Sequence, residues 1–253
     1  MQRMLNRFRN DLGVTAQPQE MDAAAARTIA HLQSESAVVR VESVDARSGR
    51  LDAVVSVENL GGHKLPTAYP SRRAWLHVTV RDRDGRIVFE SGALNMNGSI
   101  QGNDNDDDGT RVEPHYTEIS RPDQVQIYES VMAGPDGRLT TGLLTAVRYV
   151  KDNRLLPHGF DKRAADKDIA VHGDAESDAH FAGGGDRVRY AIATGDAQGP
   201  FTLDAELWYQ PIAYRWAMNL KSYAAPEPQR FVGYYEESAS ASGVRLAHAT
   251  MSR

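Results

Sequence analysis

The stretch AVVRVESVDARSGRLDAVVSV, residues 37–57, carries two runs in which valine or leucine recurs at about every second position. The first run lies at residues 38–44 and the second at residues 51–57. β-branched residues with this spacing are typical of strands that bury one face. Residues 45–49, DARSG, separate the runs with polar and small residues that favour a turn. The stretch therefore predicts an antiparallel β-hairpin.

The same alternation continues along the chain. Residues 75–80 and 87–89 flank Asp82-Arg83-Asp84-Gly85, which is a strong signal for a second hairpin. The further predicted strands are bounded by Gly, Asp or Pro, and they are Gln124 to Met132, Leu144 to Val150, Asp168 to Val171, Val188 to Ala193 and Phe201 to Tyr209. Many short strands without a helix after each one indicate a mainly β fold, an antiparallel β-sandwich or jelly roll.

Helical patterns stand at both ends of the chain. Residues 21–36 contain an alanine run with no Gly or Pro inside, and the period-two pattern stops after Pro211. The expected organisation is an N-terminal helical segment at residues 1–36, a β-sandwich domain at residues 37–211 and a C-terminal helical extension at residues 212–253. The last dozen residues, 242–253, are small and polar, and we expect them to be frayed.

Composition excludes several classes of protein. The chain has 253 residues and a formal net charge of −5, with no Lys/Arg cluster of the kind that binds nucleic acid. No window reaches the roughly 18 apolar residues of a membrane span. The basic segment 1–10 lacks the apolar core of a signal peptide. The chain contains no cysteine, which excludes disulfides, a cysteine nucleophile and covalent haem attachment through C-x-x-C-H.

A dense acidic run, GNDNDDDGT, covers residues 102–110. Such charges cannot lie unpaired in a core, because their desolvation would cost too much. Asp104, Asp106 and Asp108, followed by a glycine, match the opening D-x-[DN]-x-[DN]-G of a calcium-binding loop. An EF-hand would need Glu at the position of His115. The run is therefore expected either to bind Ca²⁺ or to form a solvated acidic loop.

A second dense stretch, residues 57–75, joins two predicted strands and carries glycines, prolines, a histidine and paired arginines. Rigidly supported loops of this kind concentrate binding groups. His63 is a candidate metal ligand or acid–base group, and Arg72 or Arg73 is a candidate anion clamp. The structural alternative is that His63 hydrogen-bonds the loop and that one arginine pairs with the acidic run. The full set of candidate substrate- or anion-binding residues is Arg72, Arg73, Tyr69 and Arg154.

Two further interpretations use overlapping residues. His63, Glu113 and His115 would supply the mixed nitrogen and oxygen ligands of a transition-metal-dependent jelly-roll enzyme, although no H-x-H or H-E-x-x-H spacing supports this site. The complete set of candidate metal ligands is Asp104, Asp106, Asp108, Glu113, His115 and His63. A calcium-dependent carbohydrate-binding module is the other interpretation, with the C-terminal aromatic residues as a sugar-stacking face. The alternative explanation for these aromatic residues is packing of terminal helices on a sheet.

Three segments together resemble a known family. GHKLPTAYPSRRAWLHV at residues 62–78, EPHY at 113–116 and KDNRLLP at 151–157 are similar to the haem-free C-terminal β-domain of some bacterial multihaem c-type cytochromes. The resemblance covers roughly residues 20–235. It implies export to the periplasm or beyond, and a partner that is a multihaem cytochrome or an upstream haem domain. Because this chain lacks C-x-x-C-H, it is expected to be part of a longer polypeptide or a haem-free relative.

No catalytic role follows from the resemblance. The leading interpretation is therefore a non-catalytic accessory module of an electron-transfer system, in which a cation stabilises residues 103–113. The expected cation is Ca²⁺ rather than a transition metal. The metal-dependent jelly-roll enzyme and the calcium-dependent carbohydrate-binding module are the alternatives.

Overall fold

The structure is a computed structural model that describes residues 1–253. The helices are α1 Gln2–Arg7, α2 Pro18–Glu35, α3 Asp104–Asp107, α4 Tyr214–Asn219 and α5 Pro226–Ser238. The strands are β1 Ala37–Arg47, β2 Arg50–Asn59, β3 Arg73–Arg81, β4 Ile87–Ser91, β5 Glu118–Ile119, β6 Ile127–Tyr128, β7 Ser130–Ala133, β8 Leu139–Thr140, β9 Arg148–Asp152, β10 Gly185–Ala193, β11 Thr202–Gln210 and β12 Val244–Ser252. No helix has the length and apolar character needed to cross a bilayer.

Two principal sheets form the body of the protein. The first has the strand order β1-β2-β10-β5, and the second has the order β12-β11-β3-β4, with β6 also pairing with β3. Neighbouring strands are antiparallel, except that β5 runs parallel to β10. A small third sheet has the order β8-β7-β9. The prediction of a mainly β, antiparallel fold with helices near the termini is confirmed.

One hydrophobic core of 28 buried residues draws on strands of both principal sheets. In β2 the buried residues alternate with half-exposed ones, as expected for a strand that buries one face. The central strand β3 differs, because it is buried on both faces. Its Trp75 packs with Ile100, Val125 and Ile127 in a separate cluster on the far side of the sheet from the main core. This second cluster brings the segments before and after the acidic run against β3.

A turn that contains Gly184 and Gly185 leads into β10, and its backbone lies close to that of β2. Gly185 lies opposite Glu58, and a Cβ on this glycine would overlap the carbonyl oxygen of Val57. Gly184 has a φ of +103°, a conformation that other residues rarely adopt. The turn therefore needs glycine for close packing as well as for its backbone conformation.

Both predicted hairpins are present, β1–β2 around residues 48–49 and β3–β4 around residues 82–86. Other predicted strands are altered. The range 124–132 contains the two short strands β6 and β7 rather than one long strand, and 168–171 is outside any named strand. β6 pairs with β3 over only two residues, and β7 pairs instead with β8 and β9 of the third sheet, which divides the predicted strand in two.

The expectation of a frayed end at residues 242–253 is wrong. β12 pairs with β11 along its length, from Thr202 opposite Ser252 to Tyr209 opposite Val244. The small residues of β12 pack against the main core, and this burial holds a strand that shows little hydrophobic signal in the sequence. The sandwich therefore includes a strand beyond the predicted 37–211 range.

Replacement of Leu246, which is 3% exposed in β12, tests this packing. We expect Leu246→Ala to lower the free energy of unfolding by about 2 kcal/mol, because it removes buried methyl groups at a sheet edge. Urea denaturation measures the change. His248→Ala on the exposed positions of the same strand is the control and should change stability by less than ~0.5 kcal/mol. Equal midpoints for the two variants would show that β12 is not packed on the core.

Candidate functional site

The acidic run folds around one buried ion pair. Asp106 in α3 accepts a hydrogen bond at Oδ1 from Arg73 Nη1 at 2.9 Å. Its Oδ2 accepts the backbone N–H of Ile100 at 2.8 Å. The two side chains are only 1% and 0% exposed for Arg73 and Asp106 respectively. The structural alternative, in which one of the paired arginines binds the acidic run, is confirmed for Arg73.

The rest of the Arg73 guanidinium is also engaged. Nε donates to Gln210 Oε1 at 2.8 Å, and Nη2 donates to the carbonyl of Gly98 at 3.2 Å. Burial lowers the pKa of Arg73, but the attraction of the Asp106 carboxylate outweighs burial and leaves the pKa above its usual value. Arg73 is therefore a charged group committed to the interior, where an external anion does not reach it.

The other aspartates of the run face separate partners. Asp104 pairs with Arg111 at 2.5 Å, and Asp108 accepts the backbone N–H of Thr110 at 2.9 Å. Together with Asp106, they point to three different donors, and no cluster of three metal-ligating side chains includes them. The protein's own arginines and backbone N–H groups thus hold the loop, and a bound Ca²⁺ stays a prediction.

Glu113 closes the acidic run as a buried acceptor. Its Oε2 accepts the N–H of Asp104 at 2.8 Å, and its Oε1 accepts the N–H of Val125 at 3.1 Å. Burial raises the pKa of Glu113, although these hydrogen bonds act in the opposite direction. Because each carboxylate oxygen has a backbone partner, Glu113 fastens the run to the segment that precedes β6.

Substitution of Asp106 separates an ion-pair role from a metal role. Asp106→Asn leaves Arg73 buried without a counter-charge, and we expect it to lower the free energy of unfolding by about 3 kcal/mol in urea denaturation, with or without calcium. Asp107→Asn changes an exposed neighbour that makes no side-chain hydrogen bond, and it is the matched control. A loss for Asp106→Asn that occurs only in the presence of calcium would identify a metal ligand instead.

His115 belongs to a different buried network. Its Nδ1 faces the side-chain amides of Gln126 at 2.8 Å and Asn153 at 3.0 Å. Other contacts fix both amides: Gln126 Oε1 accepts the N–H of Tyr116, and Asn153 Oδ1 accepts the N–H of Glu129. Both amides therefore direct N–H groups at Nδ1, which must be the unprotonated ring nitrogen.

The Nε2 side of the ring faces two buried aspartates. Nε2 donates to Asp178 Oδ2 at 3.1 Å and lies 3.9 Å from Asp186 Oδ2. Asp186 Oδ2 also accepts the hydroxyl of Tyr128 at 2.9 Å. His115, Asp178 and Asp186 are the one group of three metal-ligating side chains whose ligand atoms lie within 4.8 Å of one another.

The pKa values of the two carboxyl groups shift in opposite directions. Burial raises the pKa of Asp186 above its ordinary value of 3.8. Burial also acts to raise the pKa of Asp178, but hydrogen bonds from His115 and from the His180 backbone outweigh it and leave the pKa below 3.8. The pKa of Asp186 thus lies above 3.8 and that of Asp178 below it, so Asp186 takes up a proton at a higher pH than Asp178 does.

The hydrogen bonds of this cluster fit a proton better than a metal ion. A histidine that binds a metal through Nε2 donates its Nδ1 proton to an acceptor. Here Nδ1 faces two amide donors, so a metal at Nε2 would bring three donor hydrogens together. His63, Glu113 and His115 have no common centre in the structure, because His63 is exposed and Glu113 binds backbone N–H groups.

The pH dependence of stability tests the assignment of the two aspartates. A protonated Asp186 stabilises fully below pH 3.8, and this contribution is lost as pH rises through the raised pKa. An ionised Asp178 stabilises above pH 3.8, and this contribution is lost as pH falls through the lowered pKa. The deficit of Asp186→Asn in urea denaturation should therefore shrink as pH rises, whereas that of Asp178→Asn should grow. Deficits that change in the same direction would contradict the assignment.

The remaining candidate anion-binding residues lie around the loop that precedes β3. The Arg154 guanidinium donates two hydrogen bonds to the Asp152 carboxylate, at 2.8 and 2.7 Å. Lys64 Nζ donates to the same carboxylate at 2.8 Å. The guanidinium of Arg72 donates to the carbonyl of Thr67 at 3.1 Å and has no acidic partner. Two cations therefore share one carboxylate on this side of the molecule, and Arg72 is a third cation without one.

Two aromatic rings adjoin these cations. Tyr69 is 50% exposed and meets Trp216 edge-on, with 5.7 Å between ring centroids. Ser71 Oγ donates to the Pro211 carbonyl at 3.0 Å, and the Ala213 N–H donates to the Ser71 carbonyl at 2.8 Å. These bonds fix the loop to the start of α4. We refer to Tyr69, Trp216, Arg72, Lys64 and Arg154 as the cationic aromatic face.

The other C-terminal aromatic residues serve packing. Trp208 stacks near buried Trp75 with 6.2 Å between centroids, and Tyr234 stacks on Phe8 of the N-terminal segment at 4.3 Å. Tyr235 is buried in the cluster between α4 and α5. These rings pack strand on strand or helix on helix, so they serve packing, although not of helix on sheet.

Several residues of these sites have weak or no signals in the sequence. Asp186 has one, because it continues the period-two series of buried residues Val188, Tyr190 and Ile192 in β10. That register places a carboxyl group on a core-facing position. Asp178 has none, since it lies in an irregular loop and reaches His115 across 63 residues of sequence.

The comparisons with known proteins support the fold. No protein family and no curated protein matches the sequence. Among solved structures, the chain is similar to a penta-haem cytochrome c552 from Thermochromatium tepidum, with a TM-score of 0.51 and 15% sequence identity. The match covers 89% of this chain and 41% of that chain. The chain thus spans less than half the length of a penta-haem cytochrome and shares the fold of that part.

Proposed function

We propose that this chain is a haem-free β-module that works in a multihaem c-type cytochrome system without catalysing a reaction itself. The observation that carries the proposal is the fold shared by 89% of the chain with 41% of a penta-haem cytochrome chain. A shared fold does not by itself fix function. The proposal has additional support from residues 62–78, 113–116 and 151–157, which resemble the β-domain of such cytochromes.

The haems of such a system would lie in a partner. Without cysteine, the residues of this chain do not fit a c-type haem, because no thioether bond can form. The task left to the module is to bind and position the haem-carrying protein or domain. The proposed location is the periplasm or the cell exterior, as the resemblance implies.

The buried polar groups support binding over catalysis. His115, Asp178 and Asp186 are 6%, 4% and 4% exposed, and their hydrogen bonds are to each other or to neighbouring groups of the protein. A general acid or base must come within hydrogen-bond reach of a substrate. Glu113 and Asp106 are likewise taken by backbone N–H groups and by Arg73. The ionisable groups that remain accessible are on the surface, where they suit recognition.

The haem content of the purified complex tests this function. The tagged chain, isolated from its source organism at low ionic strength, should retain a c-type haem polypeptide, visible by haem staining and by pyridine haemochrome absorbance. The tag alone is the control. Because charged contacts weaken in salt, retention should fall as ionic strength rises. Isolation of the chain without c-type haem under every condition would contradict the proposal.

A further inference from the structure

We propose that the cationic aromatic face binds an acidic surface of the haem-carrying partner. This inference rests on the proposed function and adds the place and the chemistry of the contact. It follows from four features of the face, which are its charge, its aromatic residues, the fixed conformation of its loop and the small number of free donors.

The charge of the face is opposite to that of the whole chain. Lys64 and Arg154 are mostly buried and share the single carboxylate of Asp152, so with Arg72 this region has three positive charges and one negative charge. The whole chain has a formal net charge of −5. Arg72 has no acidic partner at all. A local positive region on a negative protein orients the approach of an acidic surface and disfavours contact elsewhere.

The aromatic residues supply what charge alone does not. Tyr69 meets Trp216 edge-on and leaves half of its surface in water, and its carbonyl accepts the backbone N–H of Arg72 at 3.1 Å. Trp, Tyr and Arg are the residue types enriched among those that contribute most to protein interfaces. The face therefore offers apolar area for burial next to Arg72, a cation without an acidic partner.

The loop holds this arrangement before any partner binds. Leu65 and Leu155 exchange backbone hydrogen bonds at 2.9 and 2.8 Å at one end, and Ser71 is tied to the start of α4 at the other. Between them Ala68 has a φ of +60°, which a residue with a Cβ rarely adopts. Strained backbone of this kind concentrates at ligand contacts, and a fixed loop loses less entropy on binding.

The number of free donors favours a protein surface over a small anion. Asp152 already occupies Lys64 and Arg154, so Arg72 is the cation that remains for a new carboxylate. A small anion bound tightly would need several converging donors. A broad surface needs one carboxylate opposite Arg72 and apolar contact with the two rings.

Photo-cross-linking in cells of the source organism tests the face. The photoreactive residue p-benzoylphenylalanine is placed at Tyr69 or, as a control of matched exposure, at Tyr223, which is 58% exposed in the segment before α5. We expect a haem-stained cross-linked band from position 69 and none from position 223. A haem-stained band from position 223 alone, or no band from position 69 when c-type haem co-purifies, would overturn the face while leaving the proposed function. Absence of co-purifying c-type haem would overturn both.

A charge reversal completes the test. Arg72→Glu should lower the haem recovered per module by about tenfold at low ionic strength, because it sets two negative charges against each other. Arg27→Glu, which reverses an exposed and unpaired arginine in α2, is the control and should leave recovery unchanged. Matching thermal melting curves show that both variants are folded. Equal recovery with the two variants would contradict the inference.

Discussion

The ion pair between Arg73 and Asp106 determines how the peripheral segments attach to the β-sandwich. Removing two charges from water is expensive, and a buried pair persists only when further hydrogen bonds satisfy both groups. Arg73, the first residue of the central strand β3, meets that condition through Gln210, Gly98 and Asp106. The end of β11, the segment after β4 and the acidic run are therefore joined at a single guanidinium.

The consequences of this pair extend to the surface. Arg215 in α4 donates to the backbone carbonyls of Asn105 and Asp106 at 2.9 and 2.5 Å, so α4 packs on the loop that Arg73 holds. The next residue along α4 is Trp216, which meets Tyr69. The position of the exposed aromatic pair thus depends on a buried charge in the middle of a sheet. The stability of the interior and the proposed binding face therefore depend on one set of contacts.

Local pattern predicts the parts of the fold that local contacts form. The β1–β2 hairpin follows from valines at a spacing of two, because neighbouring residues on one strand bury the same face. β12 cannot be predicted in this way, because the alanines at 247 and 249 give little hydrophobic signal in the sequence. They pack against the core only once β12 has paired with β11. The acidic run shows the same limit. Its spacing resembles that of a calcium loop, yet the counter-charge of Asp106 is Arg73, which lies 33 residues away in the sequence. The His115 network is less predictable still, because its geometry depends on amides fixed by distant backbone groups.

The pair Arg72-Arg73 shows how one dipeptide can divide its roles. Successive residues of an extended strand point to opposite sides, so Arg72 and Arg73 at the start of β3 meet different surroundings. Arg73 turns inward, where its charge is balanced and its hydrogen bonds are satisfied. Arg72 stays at the surface with only a carbonyl as partner. An interior arginine is constrained by the fold, whereas an exterior one without an acidic neighbour adds nothing to the core. The role proposed for Arg72 is therefore in binding a partner, and its buried neighbour Arg73 fixes the backbone from which the Arg72 side chain extends.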